Sequence, residues 1–148
     1  MNKIITITLV ALLLFSVSLL SQSQDISDED AIKQLVQEAY VDGLLNLKDL
    51  EKTRSGFHPD FVLLGLRNGN LTRFPIADWI ASAEKQKAEG RKPPETTIKA
   101  ISIDVTGTAA AVKLELNRAG KLVYTDYLSL YKFNDGWKIV GKIYFSHS

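Results

Sequence analysis

The sequence predicts an α+β domain in which helices come first and an antiparallel meander follows. Three observations predict it. Apolar residues recur at helical spacing early in the chain, through Ile32, Leu35, Val36, Ala39, Tyr40, Gly43 and Leu47. From Thr96 onward the apolar period becomes two. The strands of that second half are joined by connections of two or three residues, each containing glycine, which suits hairpins and leaves no room for crossovers.

Taken in order, the chain opens on Met1-Asn2-Lys3 and then runs from 4 to 20 without a charge, before Ser21-Gln22-Ser23-Gln24. A positive start, an apolar stretch and a small-x-small site predict a secretory signal peptide over 1–23, cut after Ser23. The alternative is an uncleaved anchor. The 17 uncharged residues sit at the lower edge of what a spanning helix needs, and Thr6, Thr8, Ser16 and Ser18 weaken them. The expected mature protein is a single exported domain, 24–148, periplasmic or secreted, with no stable membrane association.

Ser27 can cap the next segment, with Asp30 completing a capping-box pattern in which Asp replaces Glu. Asp28, Glu29 and Asp30 suit a helix N-terminus. One amphipathic helix is expected over about 28–47, and a shorter one over about 49–55. Phe57-His58-Pro59-Asp60 reads as a turn, 61–66 as a short apolar strand, and Asn68-Gly69 as a two-residue hairpin turn to a returning strand at 71–74. Pro75 suits the first turn of a helix with the stripe Ile76, Trp79, Ile80 and Ala83. That helix fades into the charged stretch 84–92 and ends at Gly90 and Pro93-Pro94. Four strands follow at about 96–105, 108–117, 121–133 and 137–145, joined by Thr106-Gly107, Arg118-Ala119-Gly120 and Asp135-Gly136.

Turn lengths fix register, and register fixes which residues share a face. The three turns converge on one apolar face: Ile101, Ile103, Val105, Ala110, Val112, Leu114, Leu116, Leu122, Tyr124, Leu128, Leu130, Trp137, Ile139, Gly141, Ile143 and Phe145. Asp126 is the acid on that face. Lys113, Glu115, Thr125, Ser129, Lys138 and Lys142 fall on the other, with Tyr127, Tyr131, Phe133 and Tyr144. That face reads equally as a wet surface or as a dimer interface, where Tyr and Phe are enriched.

Composition narrows the chemistry. The 148 residues include 18 basic and 17 acidic side chains, two histidines and no cysteine, with 45% hydrophobic and 24% charged residues. This is a globular composition. It excludes a disulfide framework, cysteine-ligated metal and a thiol nucleophile. No metal or cofactor is expected, and a net charge of +1 is no footprint for nucleic acid. Lys3 is the leader's one charge, so the mature domain is balanced. There is no glycine-rich phosphate loop, no HExxH and no nucleophile elbow.

The element order and several strings together resemble the NTF2-like superfamily. Ser102-Ile103-Asp104-Val105, Gly107-Thr108-Ala109-Ala110, Thr125-Asp126-Tyr127-Leu128-Ser129-Leu130 and Asp135-Gly136-Trp137-Lys138-Ile139-Val140 resemble its branch labelled "putative lumazine-binding", near the SnoaL-like proteins. The resemblance spans about 28–146. It implies a cone, a curved antiparallel sheet wrapped around the N-terminal helices with a pocket at the open end, and homodimers formed through the sheet. It also implies a range of activities, from isomerases, cyclases and dehydratases to proteins that only bind.

Asp126 is the first candidate site residue, since a buried carboxylate must be paired, protonated or answered by a ligand. It can serve as polar anchor or as acid/base, or be held structurally by a helix or loop. His58 is a second acid/base candidate at the pocket mouth, or else a turn residue packed on Phe57 or Phe61. Tyr40, Trp79 and Tyr124 are expected to line the pocket or to fill the core. His147 stands near the chain end, and Asn70-Leu71-Thr72 fits a glycosylation acceptor. Three functions follow: a binding module for a small apolar molecule, an isomerase or dehydratase using Asp126, and an interaction protein whose pocket is filled.

Overall fold

The computed structural model describes residues 26–147; the expected leader lies outside the described residues. Ser27 caps helix α1 (Asp28–Leu35), accepting from the Asp30 N–H at 3.1 Å and donating to its carboxylate at 2.7 Å. Asp28 ties the helix start to the sheet, accepting from Lys132 at 2.6 Å and from the Trp137 indole at 2.9 Å.

The single helix expected over 28–47 changes character at Val36. From Val36–Leu45 it is a π-helix, and the Asn46 N–H at its end bonds five residues back to the Val41 carbonyl at 2.9 Å. Helix α2 (Leu50–Gly56), capped by Asp49, presses against this wide segment. The Thr53 hydroxyl donates to the Ala39 carbonyl at 2.9 Å, entering the helix's own ladder. Gly43 makes the approach possible. A Cβ there would lie 2.3 Å from Thr53 Oγ1 and 2.7 Å from the Asp49 carbonyl oxygen. The wide turn buries Val36, Ala39, Tyr40, Val41 and Leu44 together.

Six strands form one sheet: β1 (Phe57–Arg67), β2 (Asn70–Pro75), β3 (Thr96–Thr106), β4 (Ala109–Arg118), β5 (Lys121–Phe133) and β6 (Gly136–Ser146), in the order β2-β1-β6-β5-β4-β3. Helix α3 (Ile76–Ala88) follows β2 and buries Ile76, Ile80 and Ala83. The four meander strands fall within one residue of their expected bounds. The core lies between the helices and the inner face of this sheet, where Ile32, Val36, Tyr40 and Leu44 meet Leu114, Leu116, Leu128, Leu130 and Ile139.

Five expectations are corrected. The sheet is not wholly antiparallel, because β1 runs parallel to β6. Phe57-His58-Pro59-Asp60 is not a free turn but the start of β1. Phe57 pairs with Ile139, and the pairing breaks before Val62, where Pro59 has no N–H to give. The hairpin connections are Gly107-Thr108, Ala119-Gly120 and Asn134-Asp135: the first and last are displaced by one position from the sequence expectation and the middle one is one residue shorter. Ala119 and Gly120 both take positive φ, +48° and +74°, which makes a tight two-residue turn where three residues were expected. Leu122 pairs with Asn117 and is exposed, beyond a register shift.

The fifth correction bears on function. Bulges in β3, between Ala100 and Ser102, and in β6, between Ile139 and Gly141, reverse the alternation beyond them. Ile101, Ile143 and Phe145, expected inside, are exposed at 41%, 54% and 63%. Lys142 and Tyr144, expected outside, stand instead opposite the inner residues Leu128 and Asp126.

Candidate functional site

The bulge in β6 delivers a lysine to the buried acid. Asp126 is fully buried on β5, and Lys142, also buried, donates to its Oδ2 at 2.6 Å. Tyr40, carried in by the π-helix, donates its hydroxyl to the same oxygen at 2.6 Å. Lys142 Nζ is also bonded to the Tyr40 oxygen. The three polar groups close on one another, and Asp126 Oδ1 is left buried with no hydrogen-bond partner.

Aromatic rings enclose the ammonium. Lys142 Nζ stands 4.8 Å from the ring centre of Tyr40 and 5.4 Å from those of Trp79 and Tyr144. These faces partly replace lost water, but burial still dominates. It pulls the Lys142 ammonium below the ordinary lysine value, against the opposing attraction of Asp126. Burial, and then the Asp126 charge, push the Tyr40 phenol well above its ordinary value.

A cavity of about 170 Å³ opens in front of this group. Tyr40, Trp79, Tyr124 and Lys142 line it, with Tyr144, Leu63, Leu116, Leu45 and Arg118. The pocket residues expected from sequence thus come together, with one change of place. Asp126 does not line the cavity; it sits behind Tyr40 and Lys142, and Lys142 and Arg118 are the two charged residues that line the space. His58 lies elsewhere. Its ring stacks on Phe133, centres 5.0 Å apart and planes 16° apart, and its Nδ1 accepts from the Asp60 N–H at 3.2 Å. His147 shares a 2.8 Å contact with the Thr125 hydroxyl.

Lys142 and Arg118 also line this cavity, and the sequence alone does not place either of them there. The signal for Lys142 was Gly141, since a lone glycine inside a strand often marks a bulge. Arg118 falls in the expected three-residue turn, whereas in the structure it is the last residue of β4.

Tyr40→Phe removes one of the two donors to a buried carboxylate and is expected to cost about 1–3 kcal/mol near neutral pH. The cost depends on pH with a definite sign. Tyr40 keeps its proton in the folded state at a pH where the unfolded chain, with an ordinary value near 10, loses it. Its contribution is therefore complete below about pH 10 and lost as pH rises further. The stability gap between wild type and Tyr40→Phe should shrink by about 1.4 kcal/mol per pH unit above that point. Urea titrations on either side of pH 10 check it; a gap that stays constant contradicts it.

The comparisons agree with this architecture. The family model described as "Putative lumazine-binding" matches residues 27–145. The chain is similar to aldolase FrzH of Cladobotryum sp, with 34% identity over 100 residues, 66% of this chain and 75% of that protein. Among solved structures it is similar to an NTF2-like protein of unknown function from Shewanella baltica OS155, with a TM-score of 0.67, 24% identity, and 82% and 94% of the two chains covered. A second NTF2-like protein of unknown function, from Silicibacter pomeroyi DSS-3, gives a TM-score of 0.63, 26% identity and 79% and 93% coverage.

Proposed function

The chain belongs to the NTF2-like superfamily, in the family described as "Putative lumazine-binding", and from that premise we propose that its cone binds a small carbonyl compound and acts on it through Lys142, as a cofactor-independent enzyme of aldolase type. One observation carries the reading: a buried lysine of lowered basicity faces an aromatic cavity and has a carboxylate and a phenol at its back. Lysine becomes a nucleophile toward carbonyls when desolvation weakens its hold on its proton. The aldolase FrzH, similar over 100 residues, supports the reaction class.

The step begins with the ammonium passing a proton to Asp126 across their hydrogen bond. The free amine attacks the carbonyl carbon; a C–N bond forms and the C=O π pair moves to oxygen. That oxygen receives two protons in all, both from the lysine nitrogen and relayed by Asp126 and Tyr40, and leaves as water. The nitrogen keeps its third proton as an iminium, and Asp126 is again a carboxylate. The iminium acidifies the neighbouring C–H; its proton passes by way of Tyr40 to the regenerated Asp126 carboxylate, and the C–H electron pair forms the enamine that carbon–carbon chemistry uses. Asp126 is thus a proton relay and positioning group.

Borohydride reduction with pyruvate present tests this. A reduced adduct mapped to Lys142, and absent in Lys142→Arg, is the expected result. Labelling confined to surface lysines, unchanged in Lys142→Arg, would overturn it.

Export and pairing belong to the same proposal. Exposed Tyr127, Tyr131, Phe133, Ile143 and Phe145 on the outer sheet face support a homodimer through that face. Secreted protein beginning at Gln24 and a dimer mass in sedimentation are expected; retention of the leader, or a monomer at high concentration, would count against them.

A further inference from the structure

Arg118 has no part in the relay, yet it lines the same cavity. It stands at the end of β4, beside the Ala119-Gly120 turn, and is partly buried. Its Nε donates to the Thr96 hydroxyl at 3.0 Å. Thr96 is itself fixed, its N–H donating to Asn46 Oδ1 at 2.8 Å and its carbonyl accepting from Asn46 Nδ2 at 3.0 Å. The guanidinium carbon lies 5.7 Å from the centre of the Tyr124 ring, which also lines the cavity. The side chain is therefore held from two sides.

What it lacks is an acid. Among the described residues no carboxylate pairs with Arg118, and no acidic residue lines the cavity. Asp126 and Lys142 cancel each other, so the charge of Arg118 is left over. Its field reaches the relay, since it lowers the proton affinity of both Lys142 and Tyr40. A fixed guanidinium with spare N–H groups suits a carboxylate, which it can take in a two-pronged hydrogen bond. The cavity, about 170 Å³, is roughly five or six water volumes, so a short acid fits within it.

We propose that Arg118 selects small carboxylates, so that the substrates of this cavity are short oxo acids whose carboxylate sits on Arg118 and whose carbonyl reaches Lys142. The assignment of a carbonyl rests on the function proposed above; the assignment of a carboxylate does not.

The experiment separates the two. Propionate and propionamide, which have the same size and form no imine, are titrated into the purified protein and followed by thermal shift. Propionate should raise Tm saturably and propionamide should not. Arg118→Gln should abolish the propionate effect, and Arg118→Lys, which keeps the charge without the fork, should retain part of it. Borohydride trapping is then run with pyruvate and with acetone. The preference for pyruvate should fall about tenfold or more from wild type to Arg118→Gln, the value of one charge-assisted hydrogen bond.

Equal responses to propionate and propionamide would overturn the role of Arg118, whatever the trapping shows. An unchanged pyruvate preference in Arg118→Gln would do the same. Propionate binding that needs Arg118, together with no trapping of either carbonyl, would leave the carboxylate site standing and remove Lys142 as nucleophile. If Arg118→Gln is too unstable to read, Arg118→Lys with the propionate and propionamide pair still decides.

Discussion

Replacing Lys142 by methionine is expected to destabilise the fold by about 3–5 kcal/mol. Methionine nearly matches the aliphatic stem, so packing against Tyr40, Trp79 and Tyr144 changes little. The loss comes from Asp126, which stays buried with its Oδ1 already unpartnered and now keeps one donor, Tyr40. Stranding one member of a buried pair costs far more than the pair itself contributes. The double variant Lys142→Met with Asp126→Leu should therefore recover most of the loss, less about 1–3 kcal/mol for the Tyr40 hydroxyl left without its acceptor. Urea midpoints with unchanged slopes give the comparison. A loss below about 1 kcal/mol in the single variant would mean that water reaches the carboxylate, contradicting its full burial. A double variant no better than the single would show that the two charges stabilise the fold rather than merely offset each other.

Gly43→Ala is expected to destabilise by about 2–3 kcal/mol, near the upper end for overpacking. The sign is the informative part. In an ordinary helix interior the same change stabilises by roughly 0.5–1 kcal/mol, because alanine loses less backbone entropy. Here the new methyl group would meet the Thr53 hydroxyl and, closer than any carbon tolerates, the backbone oxygen of Asp49. The hydroxyl can rotate, but the carbonyl can move only if α2 moves. Displacing α2 also disturbs the bond from Thr53 to Ala39, next to Tyr40, so propionate binding should weaken along with stability. Thermal melts of Gly43→Ala decide between overpacking and ordinary helix propensity; a rise in Tm would show that the π-helical segment does not rest on this contact.

The meander was legible because period-two alternation and glycine-bearing turns are local signals that agree with each other. Ala110, Val112, Leu114, Leu116, Leu128 and Leu130 are buried on the expected inner face, although each turn differs by one residue from its expected place or length. Errors of two in register preserve the face. The bulge in β6 does not, because it adds one residue to one strand. Hydropathy then pointed the wrong way: Ile143 and Phe145 look like core, and Lys142 looks like surface. Asp126 was found because an acid among leucines is conspicuous, whereas its cation was hidden in a strand whose polar positions look ordinary. The π-helix was equally hidden, since its buried set departs from α spacing by one residue in a turn, and Gly43 was its local mark. His58 met no pocket because Pro59 lies in the strand that holds it against Phe133.

The bond between Asp126 and Lys142 spans 16 residues of chain, whereas the Tyr40 hydroxyl reaches Asp126 from 86 residues away. The acid and its lysine are thus carried by one hairpin, β5–β6, while the phenol and the guanidinium come from the first helical segment and from β4. The buried ion pair therefore lies within one contiguous stretch of chain, whereas the rest of the cavity wall is gathered from distant stretches. Under the function proposed above, reactivity would travel with that hairpin and ligand preference with β4, two stretches that can vary independently.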